Sequence, residues 1–271
     1  MLPTESIAPV DIAPESQRIP HLGHVVLLLT VLGASLIAAL LPLVHTTPTA
    51  REAVLAQAAS YGLTLLIAWP LFAWLWRRPF LVGLRWNASA VRPWLALFGI
   101  GLGFAAQGIE TFLPVPPKTP VEEIFRTPHL IWLLLPFAVL AGPLLEEIVF
   151  RGFLLPALAN AIEWMRLPKG SSPDQAMLNL ELWRSSASAS PLTLAVASLV
   201  TSILFALIHA PQLGLSWPSV SLLAAISLVL CWVRISKHSV AASTLVHACY
   251  NLSVFVTLAI STDGFRHMNK L

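Results

Sequence analysis

Five ionisable side chains of this sequence stand in runs of residues too apolar for them: Glu146, Glu147, Arg151, His209 and His247. A charge at the centre of a bilayer costs about 2.5–3.5 kcal/mol on insertion scales, so each needs a partner or a task. Glu147 and Arg151 are four residues apart, the helical spacing at which side chains face one another, and they can neutralise each other. Glu146 is turned by about 100° from Glu147 and keeps its carboxylate for a different neighbour. Phe205 precedes His209 by four and sets an aromatic ring beside the imidazole, while His247 and Asn251, again four apart, point into one space. One carboxylate, two imidazoles and an amide, carried by three segments, can therefore converge.

Such a set suits peptide hydrolysis, which needs an activated water, a proton donor for the leaving amine and a donor for the developing oxyanion. Glu146 can take the proton of the water. His209 can orient that water or share the role, and His247 and Asn251 can hold the oxyanion or the substrate carbonyl. The same groups admit a second arrangement, with Glu146, His209 and His247 as three ligands of a catalytic Zn²⁺ and the fourth place open to water. Those ligands would come from three separate helices, unlike the H-E-x-x-H pattern of soluble enzymes. The pair Glu147–Arg151 is expected to support the site as an internal ion pair, and Phe205 to pack against it.

The elements that must carry these residues are seven apolar stretches: Leu22–Val44, Ala53–Trp76, Pro93–Leu113, Leu130–Asn160, Pro191–Ala210, Ser219–Ile235 and Val240–Ile260. Each approaches the roughly 20 residues that cross a bilayer. The fourth is longer than a bilayer requires and predicts either a tilt or a break near Gly142-Pro143 that would create an eighth, re-entrant piece. The fold class expected is thus all-α, a polytopic transmembrane bundle of seven or eight spans. Residues 1–20, acidic and proline-bearing without a signal-peptide pattern, predict a disordered tail. Residues 21–265 form the helical domain, with the chemistry concentrated at about 130–255 and a polar loop at 161–190. In that loop Asp174 can cap a short amphipathic helix reaching Trp183. Pro114–Pro120 reads as a stiff connector.

Composition supports the membrane reading. Of 271 residues 56% are hydrophobic and 11% charged, against about 25% charged in soluble domains. The net charge of +3 is spread over short loops with no basic stripe, which argues against nucleic acid as a partner. Cys231 and Cys249 lie in apolar runs as small hydrophobes. With the Arg77–Arg92 loop on the cytoplasmic side, ten Lys/Arg fall on that side and five on the other, so the N-terminus is expected inside, in the plasma membrane. Trp69, Trp74, Trp76, Trp86 and Trp94 are expected as interfacial anchors.

In its motifs the chain resembles the CAAX-protease and bacteriocin-processing family of intramembrane proteases, relatives of the type II CAAX prenyl endopeptidase. E-E-x-x-x-R stands here as Glu146-Glu147-Ile-Val-Phe-Arg151, F-x-x-x-H as Phe205-Ala-Leu-Ile-His209, and H-x-x-x-N as His247-Ala-Cys-Tyr-Asn251. The resemblance spans about residues 130–255. It implies Glu146, His209, His247 and Asn251 as the catalytic set, with Glu147 and Arg151 supporting, and it is compatible with either a glutamate-type or a metallo-protease. Relatives often carry Gly-Ser in the turn before the third motif, where this chain has Lys237-His238-Ser239. The function expected is an intramembrane endopeptidase acting on peptide or protein substrates among membrane lipids. Two rivals are a non-catalytic immunity or scaffold protein of the same fold, which would have no chemical reason to keep all four groups, and a proton-coupled transporter, which would show repeated halves with broken helices.

Overall fold

Eight helices account for the seven apolar stretches and one short turn in a computed structural model of the chain, which describes residues 20–114, 120, 129–166 and 189–267. They are α1 (Leu22–Leu40), α2 (Ala50–Trp76), the four-residue α3 (Phe80–Gly83), α4 (Pro93–Glu110), α5 (Ile131–Arg166), α6 (Pro191–His209), α7 (Trp217–Ser236) and α8 (Val240–Ser261). The expected tail before Pro20, the interior of the Pro114–Pro120 connector and the amphipathic helix expected from Asp174 to Trp183 lie outside the described residues.

Helix starts follow the local sequence. Thr49 and Glu52 form a reciprocal capping box at α2, and Ser190, Ser216 and Ser239 each accept a backbone N–H at the start of α6, α7 and α8. Proline in the first turn of α4, α6 and α7 uses positions where no N–H is needed.

Among the described residues six helices are long and apolar enough to cross a membrane: α1 with its 3₁₀ extension to Leu43, α2, α5, α6, α7 and α8. The chain is an integral, multi-pass membrane protein. The expected span at Pro93–Leu113 is present as the 18-residue α4 but falls outside those six, its apolar run being diluted by four glycines, Gln107 and Glu110. The eighth, re-entrant piece does not form. α5 runs unbroken for 36 residues and accommodates its prolines by two π-helical turns, Phe137–Ala141 and Ile148–Leu154. It also extends to Arg166, so the first six residues of the expected polar loop are helical.

Both π-turns end just before a proline. Gly142 N–H donates to Phe137 O and Leu155 N–H to Phe150 O, one residue further back than in an α-helix. Pro143 and Pro156 follow directly, and a proline ring pushes away the carbonyl four residues behind it. The helix yields by widening, and no break is needed.

Packing sorts the helices into two groups around α5. α1, α2 and α3 cover one side through Leu28, Phe72, Trp76, Phe80, Leu84 and Phe153. Trp76, expected as an interfacial anchor, is instead fully buried there: it stacks on Phe80 and lies against Phe153 and His24, because the segment after α2 folds back over it. Trp69, Trp74 and Trp94 stay exposed as expected. On the other side, α4 lies directly on α8. A Cβ on Gly99 would strike Val246 O, and one on Gly103 would strike Ser253 Oγ and meet Tyr250 O at 2.8 Å. Small residues four apart let the two backbones touch, and Gln107 Nε2 donates across the seam to Ser253 Oγ at 3.1 Å.

Candidate active site

The groups singled out in the sequence meet at the middle of α5. Glu146 and Glu147 close the α-helical segment between the two π-turns, and their carboxylates diverge as adjacent helical residues must. Glu147 is fully buried. Its Oε1 accepts from Arg151 Nη1 at 2.9 Å, the ion pair expected from their spacing, and from His247 Nδ1 at 3.0 Å. Arg151, also fully buried, donates through Nη2 to Ser227 O at 3.0 Å and Ser227 Oγ at 2.7 Å, and its guanidinium lies 4.8 Å from the centre of the Phe205 ring.

Glu146 makes no such bond. One of its oxygens, Oε1, stands 3.7 Å from His209 Nε2, and the other, Oε2, stands 3.7 Å from His247 Nε2. Both separations exceed a direct hydrogen bond. The side chains of Glu146 and His209 remain 20% and 18% exposed, whereas Glu147 and Arg151 are sealed. The carboxylate between the imidazoles is thus the accessible one.

The two imidazoles are held from behind. His209 Nδ1 faces Phe205 O at 2.7 Å and His247 Nδ1 faces Glu147 Oε1. A carbonyl and a carboxylate only accept, so each Nδ1 carries a proton and each Nε2 is turned toward Glu146. Phe205 braces the set: its ring centroid lies 4.6 Å from that of His209, 5.8 Å from that of His247 and 5.1 Å from that of Phe150. This is the packing role expected of it.

Reaching this arrangement takes an offset of the helices. His209 ends α6, roughly 27 Å along it, while His247 is only roughly 10 Å into α8 at 1.5 Å per residue. The start of α8 is itself covered by the chain. Val240, Ala241, Ala242 and Ser243 are all buried, and the segment after α3 lies over them, with Ser239 Oγ donating to Asn87 O at 2.7 Å and Val240 N–H to Arg85 O at 3.2 Å. Pro191 and Leu192, which start α6, are exposed. In the turn before α8, His238 takes the left-handed conformation at φ 49°.

Asn251 is brought to the same region by the first π-turn. In that turn the carbonyl of Ala138 would pair with the residue five ahead, which is Pro143 and has no N–H. Asn251 Nδ2 donates to this carbonyl at 2.7 Å instead. One amide hydrogen of Asn251 is therefore committed to the backbone, and its second remains available.

Sequence reasoning missed Ser227, a serine in an apolar span with nothing to distinguish it, and Ala138, whose contribution is a backbone carbonyl. It also missed Tyr61 of α2, whose ring lies 5.5 Å from that of Phe137 and which is within electrostatic reach of Glu146. As to metal, no group of three His, Cys, Asp or Glu side chains among the described residues has the geometry of an ion site. Glu146 offers a different oxygen to each histidine, at 3.7 Å, and these are the three side chains that would hold a zinc ion.

Comparison with known proteins gives one result. Residues 128–253 match the family described as Type II CAAX prenyl endopeptidase Rce1-like, a stretch that begins just before α5 and ends within α8. No curated protein and no solved structure matches the chain.

Proposed function

We infer, from the premise that this chain belongs through residues 128–253 to the type II CAAX prenyl endopeptidase family, that the protease it encodes hydrolyses a peptide bond with Glu146 as general base. The observation that carries the reading is the position of the Glu146 carboxylate between two imidazole Nε2 atoms, each 3.7 Å away, in the partly exposed part of an otherwise sealed cluster. That gap suits a water molecule held by the carboxylate and one imidazole.

In the proposed reaction Glu146 removes a proton from this water as its oxygen adds to the carbonyl carbon of the peptide. Charge builds on the carbonyl oxygen, and a protonated His247 or the second amide hydrogen of Asn251 can donate to it. Collapse of the tetrahedral intermediate breaks the C–N bond. The proton held by Glu146 passes to the leaving nitrogen, the carboxylate is restored, and the products are an acid and an amine. His209 keeps the water in line through Nε2 while Phe205 O fixes its other nitrogen. Glu147 and Arg151 set the tautomer and orientation of His247 and need not touch the substrate.

No step in this scheme requires a metal; zinc held by Glu146, His209 and His247 is the alternative that metal analysis distinguishes. The substrate is a peptide or protein reached from within the membrane, the Lys/Arg distribution supports a cytoplasmic N-terminus, and the plasma membrane is the compartment proposed. The decisive experiment compares cleavage of membrane peptides in cells carrying wild type or Glu146→Ala, scored by mass spectrometry. Products that vanish with the substitution, while the purified variant keeps its thermal transition, support the role. Undiminished proteolysis by Glu146→Ala refutes it.

A further inference from the structure

The last turn of α7 holds a buried cation, Arg234, that no ion pair among the described residues balances. Arg234 is 6% exposed, and its Nε has no hydrogen-bond partner. None of the ion pairs formed among the described residues includes it. Glu147 is within electrostatic reach, but that carboxylate is already held by Arg151 and His247. The other charged group acting on Arg234 is Arg85, of the same sign. A buried charge left without a partner is strongly destabilising unless something compensates it.

The surroundings favour an anion. Two backbone bonds draw both arginines to the start of α8, Val240 N–H to Arg85 O at 3.2 Å and Ser239 N–H to Arg234 O at 3.3 Å. The N-terminus of a 22-residue helix adds its own partial positive charge at that point. Depth identifies the kind of anion. The turn joins the end of one span to the start of the next, and Lys237 Nζ lies 5.0 Å from the ring centre of the exposed Trp94, an arrangement suited to the headgroup level of a bilayer. Basic pockets between spans at that level receive lipid phosphates.

We propose that Arg234 and Arg85, beside the positive end of α8, form a binding site for a phosphate oxyanion, supplied by the headgroup of an anionic phospholipid. The site lies apart from Glu146 and the two histidines. It does share α7 with Ser227, seven residues before Arg234, so its occupancy steadies the helix that holds Arg151.

The full-length protein, delipidated in an uncharged detergent, is the sample. Its Tm is followed with short-chain phosphatidylglycerol, short-chain phosphatidylcholine or inorganic phosphate. Phosphatidylglycerol is expected to raise the wild-type Tm by about 3–6 °C and phosphatidylcholine to leave it unchanged. Arg234→Met is expected to start at or above wild type, having lost an unmatched charge, and to gain nothing from phosphatidylglycerol. The exposed Arg85→Gln should retain the fold and lose about half of the shift. A response to phosphatidylglycerol, with or without one to inorganic phosphate, places a lipid headgroup in the site; a response to inorganic phosphate alone overturns the lipid assignment. Equal stabilisation by phosphatidylcholine, or unreduced shifts in both variants, overturns the site itself.

Discussion

At the scale of single residues, the two adjacent glutamates separate into a reactive group and a structural one because helical geometry turns them apart. Glu146→Gln keeps shape and removes the base, so cleavage should fall by about 10²–10⁴-fold with the Tm little changed; a loss of folding instead would assign Glu146 to the core. Arg151→Met does the opposite. It strands the sealed Glu147 carboxylate, and unfolding measured in detergent should show a cost of about 3–5 kcal/mol. Combining it with Glu147→Gln should return much of that stability, since neither charge is then left alone, yet activity should stay low because His247 has lost its anchor. For the metal question, purified protein should carry no stoichiometric zinc by elemental analysis and should keep cleaving after treatment with a chelator. About one equivalent of zinc, with activity lost on its removal, would establish the three-ligand reading of Glu146, His209 and His247 instead.

At the scale of elements, the site depends on one helix that widens and one that fits closely. The first π-turn of α5 releases Ala138 O to Asn251 because Pro143 cannot donate. Pro143→Ala supplies an N–H there and removes the ring. The turn should relax toward an ordinary α-helix, unfolding should become no easier, and cleavage should drop as Asn251 loses its anchor. Measuring Tm and turnover on the same variant separates this from simple damage to the helix. The α4–α8 seam makes the complementary case. Gly103→Val would force its side chain into Ser253 and the backbone of Tyr250, spreading the helix that carries His247 and Asn251, so stability and activity should fall together. In the turn that starts α8, His238→Gly relieves a left-handed residue and should raise stability by up to about 1 kcal/mol with turnover unaffected.

At the scale of the whole molecule, the fold solves the problem of bringing polar groups to one depth. Among the described residues six helices are long and apolar enough to span, and the short connecting segments are basic on one expected face. Reporter fusions at the N-terminus and in the Arg77–Arg92 loop should both report cytoplasm; opposite readings would break the proposed orientation. The start of α8 is buried beneath the segment after α3, and His247, early in α8, meets the same carboxylate as His209 at the end of α6.

Much of this was written in the order of residue types. Apolar run length marked the helices, because backbone groups in lipid must be satisfied within a helix, while the serine caps at 190, 216 and 239 appeared only in the structure, which starts α7 at Trp217, two residues before the expected Ser219. The four-residue spacing fixed the Glu147–Arg151 pair and the divergence of Glu146, since both follow from helical pitch alone. What the order of residues left open was everything set by neighbours distant along the chain. A proline in a long apolar run is compatible with a break or a widened turn, and packing from both sides of α5 selected the turn. Nothing local marks Ser227 as the acceptor for Arg151, shows Trp76 as buried, or leaves Arg234 outside the ion pairs of the described residues. Those outcomes depend on which helix faces which and at what height, and tertiary packing alone decides that.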